Sequence, residues 1–513
     1  MLVKTYSCAI MGIMAIPLTI EVHIDMGINF YLVGLPDSAV KESQQRIESA
    51  LKSSGYKMPG KKIVINMAPA DIRKEGSAFD LPIAMGIMMA SEQIPLNKEI
   101  GEYYLMGELS LDGTLQPVRG ALPVAVEAAK RGKKGVILPM QNLREASVVN
   151  SVDILGARNI KEVLDFFAEG TALSKIVLDT EEEFKRSLND YEFDFSDVKG
   201  QDNIKRALEI AAGGGHNVIL IGPPGSGKTM LAKRLPSILP PLTLEEALET
   251  TKIHSVAGKL NRHSSLVSVR PFRSPHHTIS DVALVGGGAH PQPGEISLAH
   301  NGILFLDELP EFKRTVLEVL RQPLEERQVT ISRSRYTVEF PASFMFVAAM
   351  NPCPCGYYND PSRHCQCAQG EVQRYSNKVS GPLMDRIDIH VEVIPVSHRE
   401  MVSEIKTETS REIRNRVIRT REIQRLRFRS TAQVFCNAQM NSKMVSKYCR
   451  VSEEGQQKLK RAMDRLGFSA RAYDRILKVA RTIADFDEKE NIETDHLAEA
   501  IQFRSLDRGN WGK

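Results

Sequence analysis

The chain has 513 residues, 42% apolar and 25% charged, with a formal net charge of +4. This is the composition of a soluble globular protein with ample core and about three domains, and the net charge is too small to argue for nucleic acid or against it. No stretch approaches the ~20 consecutive apolar residues that a membrane helix needs, so a membrane partner is excluded, and with one tryptophan and 6% aromatics a broad base-stacking surface is disfavoured.

Residues 1–170 read as one α/β domain. The apolar run Ala9–Ile20 follows Lys4 in the manner of a short secretory leader, but Gly12 and Pro17 interrupt it and no small-x-small site follows. Residues 16–25 alternate with period two, so a strand over Ile16–Ile24 in a cytoplasmic chain is expected. Phe30–Val33 and Ile63–Asn66 are further strands. Asp37 or Ser38 is placed to cap a helix through Val40, Ile47 and Leu51, and Asp80 to cap one over Leu81–Met89. After Tyr104–Gly107, the Asp112-Gly113 turn joins Leu109–Leu111 to a return at Leu115, then come a helix over Val124–Arg131 and the strand Val136–Pro139.

Gly107-Glu-Leu-Ser-Leu-Asp-Gly113, Pro117-Val-Arg-Gly120 and Val136-Ile-Leu-Pro139 together resemble the proteolytic domain of Lon-type proteases, a ribosomal S5 domain 2-like α/β fold. The resemblance puts Lys74-Glu-Gly-Ser-Ala78 at that family's nucleophile loop. Its mechanism needs a serine activated by a lysine. The serine position falls on Ala78, with Ser77 one place early, and the lysine position falls on Leu122. The fold is expected without the dyad and without peptidase activity. Residues 171–195 lose periodicity and turn acidic at Asp179–Glu183, as a linker does.

The second domain, 196–395, opens at Asp197–Gln201. Asn217–Ile221 reads as a buried strand, and it is followed by Gly222-Pro223-Pro224-Gly225-Ser226-Gly227-Lys228-Thr229 and a helix start at Met230. Glycines bracketing four residues ahead of Lys-Thr, between strand and helix, are a phosphate loop. Its N–H groups cradle phosphates, Lys228 reaches the β- and γ-phosphates, and the Thr229 hydroxyl sits on Mg²⁺. ATP and Mg²⁺ are therefore expected cofactors. The apolar strand Ile303–Leu306 ends in Asp307, placed to hold Mg²⁺, and Glu308, placed to polarise the attacking water. Phe344–Ala349 is another apolar strand and ends at Asn351, whose amide is suited to orient water against the γ-phosphate or simply to close a turn.

This order of elements resembles a P-loop AAA+ parallel-sheet core. In the magnesium-chelatase and replicative-helicase branch of that class, Arg386 in Ser380–Asp388 stands where the arginine finger is, and Arg471 in Phe468–Asp474 where the sensor-2 arginine is; a surface salt bridge is the alternative for each. Four of the seven cysteines, Cys353, Cys355, Cys365 and Cys367, form two Cys-x-Cys pairs with nine residues between them. Four thiolates make the tetrahedral shell of a structural Zn²⁺, with His364 as a substitute ligand, and reduced free thiols are the alternative.

Between these motifs lies Arg270-Pro-Phe-Arg273-Ser-Pro-His276-His277-Thr278. Adjacent histidines point in different directions on most backbones, so no metal site is expected there. The Gly/Pro-rich run Gly286–Glu295 reads as an exposed insert, and Val329–Val338 as a hairpin with Arg333 and Arg335 on one face, either gripping phosphates in a ring's pore or merely solvated. From Arg399 to Arg429 there are ten Lys/Arg against five Glu, with Ile413, Val417, Ile418 and Ile423 as the apolar stripe of a helix whose basic face is DNA-facing or solvated. Residues 396–513 read as a C-terminal helical lid.

With Gly294–Gly302, Asp307–Phe312 and Asn351–Gly356, the chain resembles the ComM/YifB family of magnesium-chelatase-like AAA+ ATPases over nearly its whole length. That resemblance implies a homohexamer acting on branched or single-stranded DNA, with ATP-driven branch migration during natural transformation. A magnesium-chelatase motor subunit, a protein-remodelling ATPase and an ATP-dependent protease are the other classes. The Lon-like domain and the four cysteines argue against the first, and the missing dyad against the last.

Overall fold

The computed structural model describes residues 2–94, 98–187, 191–260, 265–288, 291–333, 336–358, 363–396, 407–431 and 434–504. The expected strand Ile16–Ile24 lies within Met14–Asp25, which pairs antiparallel with a further strand, Leu2–Met11, from Met11 opposite Met14, and Gly12, at φ +62°, makes the turn. The sheet continues with Lys62–Ala68, antiparallel, and ends on Phe30–Val33, parallel. Helix Asp80–Ala90 is apolar on every side and buried almost throughout, as a helix wedged inside a domain must be. It packs against both strands of the hairpin.

Asp37 caps as expected, accepting from the Val40 N–H at 2.8 Å. Asp80 does not. Phe79 holds the cap position, and the buried Asp80 carboxylate instead accepts from Arg46 at 2.6 and 2.9 Å and from the Leu109 N–H at 3.2 Å. A second, parallel sheet of Tyr103–Leu105, Gly135–Pro139 and Asp153–Ala157 completes this domain.

The stretch expected as a plain linker carries helix Thr180–Ser187. Its Phe184 enters an apolar seam with Leu122 and Val148 on one side and Leu242, Ala247 and Leu266 on the other, so the first two domains meet through a small shared core.

Five parallel strands form the second domain's sheet in the order Phe272–Arg273, Ile303–Leu306, Met345–Met350, Val218–Ile221, Ile389–Glu392. The middle three are apolar runs buried along their length because helices cover both faces. Parallel strands release their following loops at one edge, where ligands bind in such sheets. The segments after Ile221, Leu306 and Met350 therefore emerge side by side.

The expected hairpin is present as Gln328–Arg333 paired with Tyr336–Pro341; Arg335 lies outside the described residues. The Gly/Pro-rich insert holds a short ladder, Gly286–Gly287 with Gln292–Pro293.

Beyond residue 407, helices Ser410–Phe428, Ser442–Tyr448, Glu453–Leu466, Ala470–Phe486 and Thr494–Gln502 follow. Their core is continuous with one face of the five-stranded sheet. In the first of these helices the buried stripe is Ile413, Val417, Thr420, Gln424 and Phe428, while Ile418 is exposed. The stripe is rotated from the expected one because polar side chains find partners inside: Gln424 donates to the Gly213 carbonyl at 3.1 Å and Arg421 to that of Ala212 at 3.0 Å. Arg416 pairs with Glu209 at 2.5 Å and Glu408 at 2.8 Å, and Arg427 with Asp485. Arg416, Arg421 and Arg427 of the expected basic face are thus structural, while Arg411, Arg419, Arg425 and Arg429 stay exposed.

Candidate functional site

The phosphate loop needs glycine where its backbone turns and touches. Gly225 and Gly227 stand at φ +76° and +92°, in the left-handed region that other residues avoid. A Cβ on Gly222 would lie 2.2 Å from the Val393 carbonyl oxygen. Lys228 is nearly buried. Its ammonium donates to the carbonyls of Gly222 at 2.8 Å and Pro223 at 2.9 Å, and to Asn351 Oδ1 at 3.2 Å. Burial pushes the Lys228 pKa down, while the nearby Asp307 and Glu308 carboxylates oppose that shift. The Thr229 hydroxyl donates to Asp307 Oδ2 at 2.6 Å, and Asp307 Oδ1 accepts from the Glu308 N–H at 2.9 Å. Glu308 stands at φ +52°, a strained position at the strand's end, with its carboxylate exposed to solvent.

The structure thus brings the whole loop Gly222–Thr229 together with Asp307, Glu308 and Asn351, residues from three strands far apart in sequence. A lysine, a hydroxyl paired with a carboxylate, and a second, solvent-exposed carboxylate fit a nucleoside triphosphate with Mg²⁺: Lys228 toward phosphate, Thr229 and Asp307 toward the cation.

Family profiles match in chain order. The one described as subunit ChlI of Mg-chelatase covers residues 20–142, magnesium chelatase subunit ChlI covers 194–401, and its C-terminal region covers 407–504. Over 503 residues the chain is 45% identical to the YifB protein of Escherichia coli K12, covering 98% of this chain and 96% of that one. It is 44% identical over 510 residues to competence protein ComM of Haemophilus influenzae, covering 98% and 97%. The chain belongs to the ComM/YifB family of magnesium-chelatase-like AAA+ ATPases. ATP and Mg²⁺ come with that family. A shorter likeness, 30% over 129 residues, joins 25% of the chain to 23% of Lon protease 2 of Bacillus subtilis, in keeping with a Lon-like domain beside the AAA+ core.

Two contacts at this AAA+ site were not legible as functional. Gln201, at φ +58°, donates from Nε2 to the carbonyls of Ser226 and Ile394, both at 3.0 Å, strapping the phosphate loop to the segment that follows the neighbouring edge strand Ile389–Glu392. His277 Nδ1 lies 3.5 Å from Glu308 Oε2. Its ring also sits 4.1 Å from that of His276, contrary to the expectation that the two diverge, because the chain turns at His277–Thr278. Neither histidine belongs to a metal-ligand cluster among the described residues. Arg270 and Arg273 are structural. The first donates to the carbonyls of Pro240 and Asn301, and the second forks onto Glu295 at 2.6 and 2.7 Å.

The two candidate arginines sit differently. Arg386 is buried, paired with Glu325 at 2.6 Å and donating to the Pro382 carbonyl at 2.7 Å, rather than reaching the phosphate loop of its own chain. Arg471 is exposed on the first turn of helix Ala470–Phe486, which Ser469 caps. One turn on, Arg475 is 2.5 Å from the fully buried Asp388, which also faces His216 at 3.4 Å. That cluster anchors the lid helix to the segment carrying Arg386.

All four sulfurs of Cys353, Cys355, Cys365 and Cys367 lie within 4.8 Å of one another. Cys353 Sγ is 3.3 Å from Cys355 and 3.7 Å from Cys365, and Cys355 is 3.5 Å from Cys365, with no disulfide among them. Four sulfurs around a tetrahedral ion at ~2.3 Å would be spaced by about 3.8 Å, so the donor set and its spacing fit zinc. His364 is exposed and outside the cluster.

In the Lon-like domain Lys74 and Ser77 have separate partners. Lys74 is fully buried with its ammonium on the Pro69 carbonyl, and the Ser77 hydroxyl is held by Glu108. Leu122 is sealed in the interdomain seam.

Proposed function

We propose that this chain is the subunit of an ATP-hydrolysing hexameric motor that moves branched or single-stranded DNA, with branch migration during recombination or natural transformation as its task. The observation that carries the reading is the meeting of Lys228, Thr229, Asp307 and Asn351 beside the exposed Glu308. In this mechanism Lys228 holds the β- and γ-phosphates, Thr229 and Asp307 hold Mg²⁺, and Asn351 orients the attacking water. Glu308 polarises that water as it approaches phosphorus. Arg386 leaves Glu325 when a neighbouring subunit docks and meets that subunit's γ-phosphate, while Arg471 serves the same phosphates from the lid. Such charge neutralisation in trans supplies most of what a finger adds to turnover. Residues 1–170, 196–395 and 396–513 act as Lon-like scaffold, motor core and lid, the cysteines hold structural zinc, and the motor works in the cytoplasm. Among the described residues no helix is long and apolar enough to cross a membrane.

Family kinship with competence protein ComM and the arginine-bearing hairpin support DNA as the substrate. The ChlI profiles favour a second reading, a chelatase-type or protein-remodelling motor. ATPase rate measured with and without four-way-junction DNA separates the two. Stimulation and low-salt binding are expected; their absence, with basal hydrolysis intact, would sink the DNA reading alone.

A further inference from the structure

The cysteine loop does more than lie near the ATP site; it touches the phosphate loop directly. Gly356, one residue past Cys355, stands at φ +87° against Pro224, so closely that a Cβ there would come within 2.4 Å of Pro224 Cδ. The turn that places it is closed by the Gly356 N–H donating to the Cys353 carbonyl at 3.0 Å. On the other side of Cys353, two residues back, Asn351 receives the Lys228 ammonium at 3.2 Å. The fully buried Cys353 therefore sits between two contacts to the phosphate loop, one to its proline and one to its lysine.

We infer that a divalent metal on Cys353, Cys355, Cys365 and Cys367 clamps the phosphate loop in its nucleotide-binding shape, so that metal occupancy sets ATP affinity. This inference rests on the reading of the cysteines as a zinc site. A metal crossing from Cys353 and Cys355 to Cys365 and Cys367 closes the intervening loop and fixes the Cys353–Gly356 turn. Without it the turn regains conformational freedom, and binding ATP must then order the turn as well as the phosphate loop. Zinc takes no part in the hydrolytic chemistry here; its four protein ligands leave no coordination position for substrate.

The test uses the full chain and two readouts, zinc content by elemental analysis and affinity for a fluorescent ATP analogue without turnover. About one zinc per chain is expected. Chelation should weaken nucleotide binding about tenfold, and added Zn²⁺ should restore it. Cys365→Ser should lose both zinc and affinity. Gly356→Ala keeps all four thiols while pressing on Pro224, so it should retain zinc yet bind ATP about tenfold more weakly, which separates the clamp from a general loss of folding. A zinc-bearing protein whose ATP affinity is unmoved by chelation and by Gly356→Ala would overturn the clamp and leave the zinc site standing. A purified chain that neither carries nor takes up zinc would overturn both.

Discussion

The ATP site and the nucleophile loop of the Lon-like domain contain the same kinds of groups, a lysine, a hydroxyl and a carboxylate beside a glycine. Their hydrogen bonds differ. At the ATP site Lys228 reaches across to Asn351, Thr229 is paired with Asp307, and Glu308 stays 59% exposed, so groups from three strands converge on one place. In the Lon-like loop Lys74 is turned inward onto the Pro69 carbonyl and Ser77 is given to Glu108, each with its own partner. A Ser–Lys dyad requires a serine and a lysine on each other, and the family's two positions fall instead on Ala78 and Leu122. Leu122, at the position of the family's lysine, has become part of the seam that joins the domain to the motor. Residue types alone do not make a site; where their hydrogen bonds go decides it.

The comparison can be broken at either end. Glu308→Gln should keep ATP binding and lose turnover by about 100-fold or more, as removal of a general base does; near-normal steady-state hydrolysis would refute its role. Leu122→Lys restores the Lon-type residue but puts an ammonium into an apolar seam, at a cost of about 3 kcal/mol or more. A lowered urea midpoint with no casein cleavage is expected, and cleavage would show that the domain is one residue from a protease.

A smaller effect concerns the lid anchor. Burial alone would raise the Asp388 carboxyl, but Arg475 and His216 hold it well below the usual carboxylate range. A depressed folded pKa contributes stability that is complete above the unfolded value of about 4 and lost as pH falls below it. Asp388→Asn should therefore flatten the fall in urea midpoint between about pH 5 and pH 3; an unchanged slope would remove Asp388 from that account. Ser77→Ala should leave ATPase rate within about twofold of the parent, since an exchanged loop hydroxyl touches no nucleotide-binding group. A severe loss would mean the Lon-like loop serves the motor.

Much of the ATP site was legible because its chemistry is local in sequence: glycines, Lys228 and Thr229 follow one strand, Asp307 and Glu308 follow a second, and Asn351 follows a third. The four cysteines were legible for the same reason. What sequence could not show were pairings across long separations. Arg416 with Glu209 and Arg427 with Asp485 tie part of a basic helix to the rest of the fold, and nothing in either segment names its partner. The first strand, Leu2–Met11, carries Lys4, Thr5 and Ser7 ahead of the apolar run, and its pairing with Met14–Asp25 appears only once Gly12 turns the chain back. Phe184 looked like linker because its seam is made only when two domains meet. Gln201 and His277 touch the site through a left-handed backbone and a turn, neither of which leaves a periodic signal.

The central claim is that this ATP site is completed by a neighbouring subunit. Mixing two inactive variants tests it most directly: Glu308→Gln, with a dead centre and an intact finger, and Arg386→Ala, with the reverse. In mixed rings an Arg386→Ala centre can face a Glu308→Gln finger, so ATP turnover well above that of either variant alone is expected. Full activity of Arg386→Ala by itself, or no recovery on mixing subunits shown to co-assemble, would contradict an active site shared between chains.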